Sequence, residues 1–308
     1  MKELTELKLK SFAKINLALD ATGVREDGYH TVETVMQQVS LFDEISISWQ
    51  PDKEKDLEII ISNSKPYLPT DQRNLAYKAA LLMAEGRDKK GTLKIHIDKR
   101  IPVAAGLGGG SGNGAAVMIG LNRIWKLDMN TRQLCDMGRV LGADVPFCIL
   151  VQNSRYTCAV GRGVGDELAP VKRGMKKHLI LAKPAFGVST KEVFKGIDDC
   201  IFEFRPDVDQ LVEGLLTDQY EKIYSNMINV LEYYTLTNYP QVAALKEKIG
   251  RTAGVRKVLM SGSGPTVMGI YDTYSAAKKA CIDIRKQGYE AYWLTSGKGN
   301  RGEKNVKF

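Results

Sequence analysis

A chain that places six glycines among residues 101–114, in the stretch IPVAAGLGGGSGNGAAVMIG (101–120), has a use for bare backbone. In regular structure each glycine costs about 0.5–1 kcal/mol relative to alanine, so a run of them marks positive φ angles or close approach by another group. The alternating segment TLKIHID before the run reads as a strand. The small and apolar residues from Ser111 to about residue 126 read as a helix. A strand feeding a glycine loop and then a helix presents the helix's first turn, whose amides lack intrahelical acceptors and carry the positive end of the macrodipole, to an anion. With no side chains at Gly106, Gly108, Gly109 and Gly110, the backbone of Leu107 to Ser111 is open to a diphosphate or triphosphate. Two familiar phosphate loops fail in register: no lysine follows the glycines, and Ser111 stands where a third spaced glycine would be needed. A glycine-rich packing turn accounts for one or two of these residues, and a phosphate cradle accounts for the run.

Composition limits the alternatives. The 308 residues are 44% hydrophobic and 26% charged, which fits a globular protein of two domains. No apolar run approaches membrane-spanning length and the start, MKELTELKLK, lacks a secretion h-region, so a cytoplasmic protein without a membrane partner is expected. The five scattered cysteines form no C-x-x-C pair and read as buried thiols rather than zinc ligands or disulfides. The net charge of +8 suits a small polyphosphate or a nucleic acid. The basic residues are mostly dispersed among acids, and VKRGMKK (171–177) and KGNRGEKNVKF (298–308) read as a solvated loop and terminus. Aromatic residues are not interleaved with basic ones, which favours the small ligand over RNA.

Near the start, LKLKSFAKINLALDATGV alternates, placing Ile15, Leu17 and Leu19 on one strand face and Lys14, Asn16 and Ala18 on the other. Asp27-Gly28 predicts a hairpin turn into TVETVMQQVSLFDEISISW. Thr70 is read as the cap of a helix through DQRNLAYKAALLMAEG. A later helix, TRQLCDMGRVLG, stops at Gly142, and Pro146 is expected to hold Val145 outside helical geometry, leaving Asp144 on a tight turn. A domain boundary is placed near residue 165. Beyond it the pattern gives strand 178–182, a helix from Ser189, helices through 207–250, strands 257–260 and 266–271, helix 273–287 and strand 290–295, a ferredoxin-like β-α-β-β-α-β order with a helical insertion.

Pro102 to Ser111, PVAAGLGGGS, together with SFAKINLAL near the start and MSGSGPTVMG (260–269) near the end, resembles the GHMP kinases, the superfamily of galactokinase, homoserine kinase and mevalonate kinase. The segments REDGYHTVETVMQQVSLFD, LGADVPF and GVSTKEVFKG resemble the branch of that superfamily whose acceptor is a cytidine-diphosphate sugar alcohol. Phe12, Gly112 and Gly114 depart from the usual pattern.

The resemblance implies an α+β fold with a ribosomal-protein-S5-like domain over residues 1–165, a ferredoxin-like domain over 166–308, and a ligand cleft between them. It implies an ATP-dependent kinase using Mg²⁺, with no nucleic-acid partner. Asp144 would be the catalytic base and Lys14 its charged companion. Pro102, Ala105, Gly106, Leu107, Gly108, Gly109, Gly110 and Ser111 would hold ATP, with Asn74 and Lys78 near the adenine. Asn16, Tyr29, His30, Thr190, Phe194, Gly262 and Ser263 would meet the acceptor, the cytosine being read by His30 and stacked on Phe194. No residue is assigned as a metal ligand. Homoserine, mevalonate or an RNA remain the alternatives to the cytidylylated acceptor.

Overall fold

The computed structural model describes residues 4–297; the basic tail 298–308 lies outside the described residues. Two long strands open the chain, β1 (Thr5–Val24) and β2 (His30–Pro51), paired with each other and joined by the expected turn, in which Gly28 has φ 80° and donates to Arg25 O at 2.9 Å. Both contribute to each of two compact units, which among the described residues are the chain up to residue 13 with 42–102 and 108–155, and 14–41 with 103–107 and the chain from 156 onward.

In the first unit, β4 (Gly91–Asp98) pairs antiparallel with the distal half of β2, from Glu44↔Asp98 to Pro51↔Gly91, and β3 (Glu58–Asn63) runs parallel to β4. Ile45, Ile47, Leu93, Ile95 and Ile97 alternate into the core at no more than 1% exposure, as a half-buried strand pattern requires. Three helices follow the sequence: α1 (Leu75–Ala84), α2 (Gly109–Ile124) and α3 (Thr131–Gly138), α2 packing against α1 and against α4 (Asp144–Asn153).

Two local expectations are corrected here. The cap of α1 is Asn74 rather than Thr70: its side-chain oxygen accepts from Ala76 N at 3.0 Å, and residues 71–73 form a bend and turn ahead of it. Asp144 is the first residue of α4 rather than a turn residue, and Val145 and Pro146 are helical. Proline is tolerated there because the first-turn N–H groups have no intrahelical acceptors to lose.

In the second unit, the proximal half of β2 pairs antiparallel with β5 (Cys158–Arg162), and β5 with β6 (Glu167–Val171). The remaining strands, β7 (His178–Lys183), β8 (Val255–Met260), β9 (Val267–Tyr271) and β10 (Glu290–Thr295), form an antiparallel sheet in the order β10-β7-β9-β8. That is the ferredoxin-like order. The insertion between β7 and β8 holds α5 (Thr190–Gly196), α6 (Val208–Thr217), α7 (Tyr220–Asn226), α8 (Glu232–Asn238) and α9 (Pro240–Gly250), and α10 (Tyr274–Lys286) precedes β10. Ile180, Val193, Leu231, Leu245, Ile249, Val267 and Ile284 build one core from sheet and helices. Cys148, Cys158 and Cys281 are buried thiols as expected; Cys135 and Cys200 are only half-buried.

Candidate active site

The strand face carrying Lys14 and Asn16 is not a solvated edge. Lys14 is 5% exposed and Asn16 2%, so both faces of β1 are buried at this point. Lys14 Nζ donates to Asn16 Oδ1 at 2.9 Å, and Asn16 Nδ2 to Thr34 Oγ1 at 2.8 Å, which fixes the amide orientation. A buried lysine needs such partners, because desolvating an ammonium without hydrogen bonds is prohibitive.

The glycine loop is stitched to that strand by Lys14 N donating to Leu107 O at 3.0 Å. The turn between β8 and β9 comes to the same place. Ser261 Oγ donates to Gly106 O at 3.1 Å and accepts from Asn16 N at 3.4 Å, and a Cβ on Gly262 would stand 3.5 Å from Asn16 Oδ1 and from Gly106 O. Residues 14–16, 106–107 and 261–262 therefore meet within the second unit, Asn16 and Ser261 across 245 positions in sequence. Asn229 braces the turn, donating from Nδ2 to Met260 O and Gly262 O at 2.8 Å each.

The loop itself alternates hand. Ala104 (φ 51°), Gly106 (φ 73°) and Gly108 (φ 65°) are left-handed, and successive amides in such a chain turn toward one concavity, the backbone arrangement that binds anions. Ala104 was invisible to sequence reasoning, since alanine carries no signal for positive φ. The intrahelical ladder of α2 starts with Gly112 N donating to Gly108 O at 2.8 Å, leaving the amides of Gly109, Gly110 and Ser111 ahead of it, and the first turn contains no acidic residue. These are the donors an anion would use. The side chains of Ala105 and Leu107 are core, at 3% and 1% exposure, so only their backbone could serve a ligand.

Most of the glycines answer to neighbours. A Cβ would lie 2.2 Å from Ser261 O at Gly106, 2.8 Å from Lys99 Nζ at Gly109, 2.6 Å from Ser11 Oγ at Gly112 and 3.3 Å from Leu75 O at Gly114. Gly110 has room, its nearest neighbour being Leu75 Cδ1 at 3.6 Å. Internal packing thus explains more of the run than the sequence suggested, and Gly110 is the position where an absent side chain serves no neighbour. Asn74 lies next to Leu75 and is occupied as a cap, its Nδ2 also donating to Pro69 O at 2.8 Å; Lys78, one turn on, is exposed.

At the start of β2, His30 Nε2 is 2.7 Å from Asp198 Oδ1, and its ring centroid is 5.2 Å from that of Phe194. Thr190 Oγ1 and Ser263 Oγ share a 2.9 Å hydrogen bond. Ser189 caps α5 by accepting from Glu192 N at 3.3 Å, but Glu192 does not reach back to the cap. Its Oε1 accepts instead from Tyr239 OH at 2.7 Å and Tyr234 OH at 3.3 Å, and the bond to Glu192 pushes the Tyr239 hydroxyl up to about 12. The ring of Tyr29 projects into solvent at 67% exposure. Asp144, in the first unit, is half-buried at the start of α4. Among the described residues no three His, Cys, Asp or Glu side chains cluster as metal ligands, and no helix is long and apolar enough to cross a membrane. Asp198, Ser261, Thr34 and Asn229 escaped the sequence reading because their roles come from distant partners.

Residues 74–152 match the model for the GHMP kinases N terminal domain and residues 206–290 that for GHMP kinases C terminal. The 4-diphosphocytidyl-2-C-methyl-D-erythritol kinase of Alkaliphilus metalliredigens (strain QYMF) is 43% identical over 277 residues, 90% of this chain and 92% of that protein. The chain belongs to the GHMP kinases. The enzyme of the same name from Alkaliphilus oremlandii (strain OhILAs) is 42% identical over 96% of this chain and 99% of its own. A crystal structure of 4-(cytidine 5'-diphospho)-2C-methyl-D-erythritol kinase superposes with a TM-score of 0.78 at 30% identity, covering 95% of this chain and 100% of that one. The homoserine kinase of Cytophaga hutchinsonii ATCC 33406, at 19% identity and a TM-score of 0.73, shares the GHMP kinase fold. The converging loop, strand and turn are thus a feature of a phosphotransferase.

Proposed function

We propose that this GHMP kinase transfers the γ-phosphoryl group of ATP to the 2-hydroxyl of 4-diphosphocytidyl-2-C-methyl-D-erythritol. The observation that carries the reading is the meeting of Lys14 and Asn16 with the glycine loop and the 261–262 turn, since phosphoryl transfer is chiefly a matter of positioning and charge neutralisation. The names of the most similar relatives support the choice of acceptor. In this reading the amides of Leu107 to Ser111 hold the phosphates, with Pro102, Ala105 and Gly106 shaping the loop, and Asn74 and Lys78 lie toward the adenine. The Asp144 carboxylate takes the proton of the acceptor hydroxyl. The Lys14 ammonium lowers the cost of charge on the migrating group. His30 and Phe194 face the cytosine, with Tyr29 beside them, and Asn16, Thr190, Gly262 and Ser263 hold the sugar phosphate. The two functional domains of this reading, residues 1–165 and 166–308, exchange segments as compact units, since residues 14–41, 103–107 and 156–165 group with the second.

A magnesium ion accompanying ATP would screen the phosphate charge, taking most of its ligands from phosphate and water. The first turn of α2 suits such an ion, because Ser111 offers one hydroxyl there and no carboxylate competes for the phosphates.

The test is a phosphorylation assay by ADP release with 4-diphosphocytidyl-2-C-methyl-D-erythritol, homoserine and mevalonate in parallel. Turnover is expected with the cytidylylated alcohol alone. ADP release with homoserine or mevalonate in its place would overturn the acceptor, and none with any of the three would overturn the reading.

A further inference from the structure

Beneath the first turn of α2 lies an ion pair that the reading so far leaves without a task. Asp43, fully buried, accepts from Lys99 Nζ at 2.5 Å, from Arg100 N at 2.7 Å and from Ile101 N at 2.7 Å. The Lys99 side chain is 6% exposed. Burial pulls its ammonium down from the ordinary lysine range while the Asp43 carboxylate opposes that shift. Replacing a buried ion pair with apolar side chains is often neutral or stabilising, so this pair is weakly explained by stability alone.

The position of the ammonium is informative. A Cβ on Gly109 would stand 2.8 Å from Lys99 Nζ, with Ile101 Cγ2 and Cβ next at 3.0 and 3.3 Å. The carboxylate is therefore farther from Gly109 than the ammonium is, and the pair turns its positive end toward the helix start. That end already carries the partial positive charge of the macrodipole. Asp43 neutralises most of the ammonium's charge, yet the positive end of the pair still meets the like partial charge of the helix start, an arrangement that a bound anion would relieve. Glycine at 109 is the condition for the approach, because any side chain there would displace Nζ.

We propose that Lys99 is a positioning residue for nucleotide phosphates: Asp43 clamps its ammonium against the Gly109 turn, where it adds a fixed, desolvated positive charge behind the phosphate-binding amides. Lys99 does not touch the ligand; it acts through the field at the amides. The inference rests on the reading that residues 107–111 hold the phosphates of ATP. Its signature is a dependence on phosphate charge, which a purely structural brace would lack.

The experiment is calorimetric titration of ATP, ADP and adenosine into the full chain, its Lys99→Met variant and the Asp43→Asn/Lys99→Met double variant. The single variant leaves Asp43 uncompensated near the loop, so ATP and ADP affinity is expected to fall about tenfold or more. The double variant removes both charges, keeps the volume and is expected to melt close to the parent. It should still bind ATP several-fold more weakly while binding adenosine equally well. Equal losses for ATP and adenosine, or parental ATP affinity in the double variant, would overturn the proposal. A parent chain that binds ATP no more tightly than adenosine would instead overturn the phosphate-loop reading beneath it.

Discussion

At the scale of single residues, chemistry was legible wherever an identity recurs in a motif, and illegible wherever a partner from elsewhere defines the role. Asp144 was singled out in LGADVPF, and the structure changes only its setting, from a turn to the first position of a helix. Asp144→Asn is expected to fold with an unchanged melting temperature and to lose turnover by a factor of about 10²–10⁴, as removal of a general base does; parental turnover in that variant would remove the base. His30 was legible and Asp198 was not, because nothing in EVFKGIDDC announces a ring 168 positions upstream. An accepting carboxylate at Nε2 fixes the ring's orientation and leaves Nδ1 as the nitrogen that faces away from Asp198. Asp198→Asn should therefore raise the KM for the cytidylylated acceptor several-fold with little change in the KM for ATP. Initial-rate kinetics in both substrates would check it, and equal changes in the two constants would count against a role confined to His30.

Elements were legible where their own periodicity sets them. The alternation of TLKIHID and the β-α-β-β-α-β order emerged as read, because burial of one face imposes period two on strands and 3.6 on helices, whereas the helix of TRQLCDMGRVLG ends at Gly138 and tightens into a 3-10 turn over Arg139–Leu141 before Gly142. The glycine loop was located correctly but its glycines were explained too simply. Sequence distinguishes poorly between a glycine emptied for a ligand and one emptied for a neighbouring backbone. The two cases predict opposite outcomes. Gly106→Ala, at φ 73° with its Cβ 2.2 Å from Ser261 O, should destabilise the protein by about 2 kcal/mol or more, seen as a lower denaturation midpoint. Gly110→Ala, at ordinary helical φ with open space around it, should leave the midpoint nearly unchanged and yet weaken ATP binding if phosphate occupies that space. Strand β9 offers a pH test. Burial raises the Tyr271 hydroxyl from an ordinary value of 10 to about 12, although its bond with Thr252 acts in the opposite sense. A raised folded-state value means the folded chain keeps a proton the unfolded chain has lost, so this stability is complete below pH 10 and is lost as pH rises toward 12. Alkaline unfolding of Tyr271→Phe should therefore be shallower than that of the parent over this window.

For the whole molecule, the compact units do not follow chain order. Residues 14–41 and 103–107 pack with the chain from residue 156 onward, so each unit is built from three segments, and the loop-closure entropy of joining those of the second unit is offset only when the late strands arrive. A chain ending at residue 165 keeps Lys14, Asn16 and the glycine loop but lacks Ser261, Asn229 and strands β7 to β10. It is expected to keep a thermal transition by circular dichroism, because the first unit lies wholly within it, and to bind ATP more weakly than the full chain; ATP affinity equal to the parent's would mean that the 261–262 turn does not support the loop. What the sequence by itself determined was local: which segments alternate, where backbone is bare, which motif residues recur in kinases of this kind. These follow from side-chain chemistry and short spacing, which a chain carries before it folds. Only the tertiary structure decided that Ser261 anchors Gly106, that Ala104 adopts a left-handed turn and that Lys99 lies against Gly109. Such contacts depend on which distant atoms burial brings within a few ångströms, and no local pattern encodes that distance.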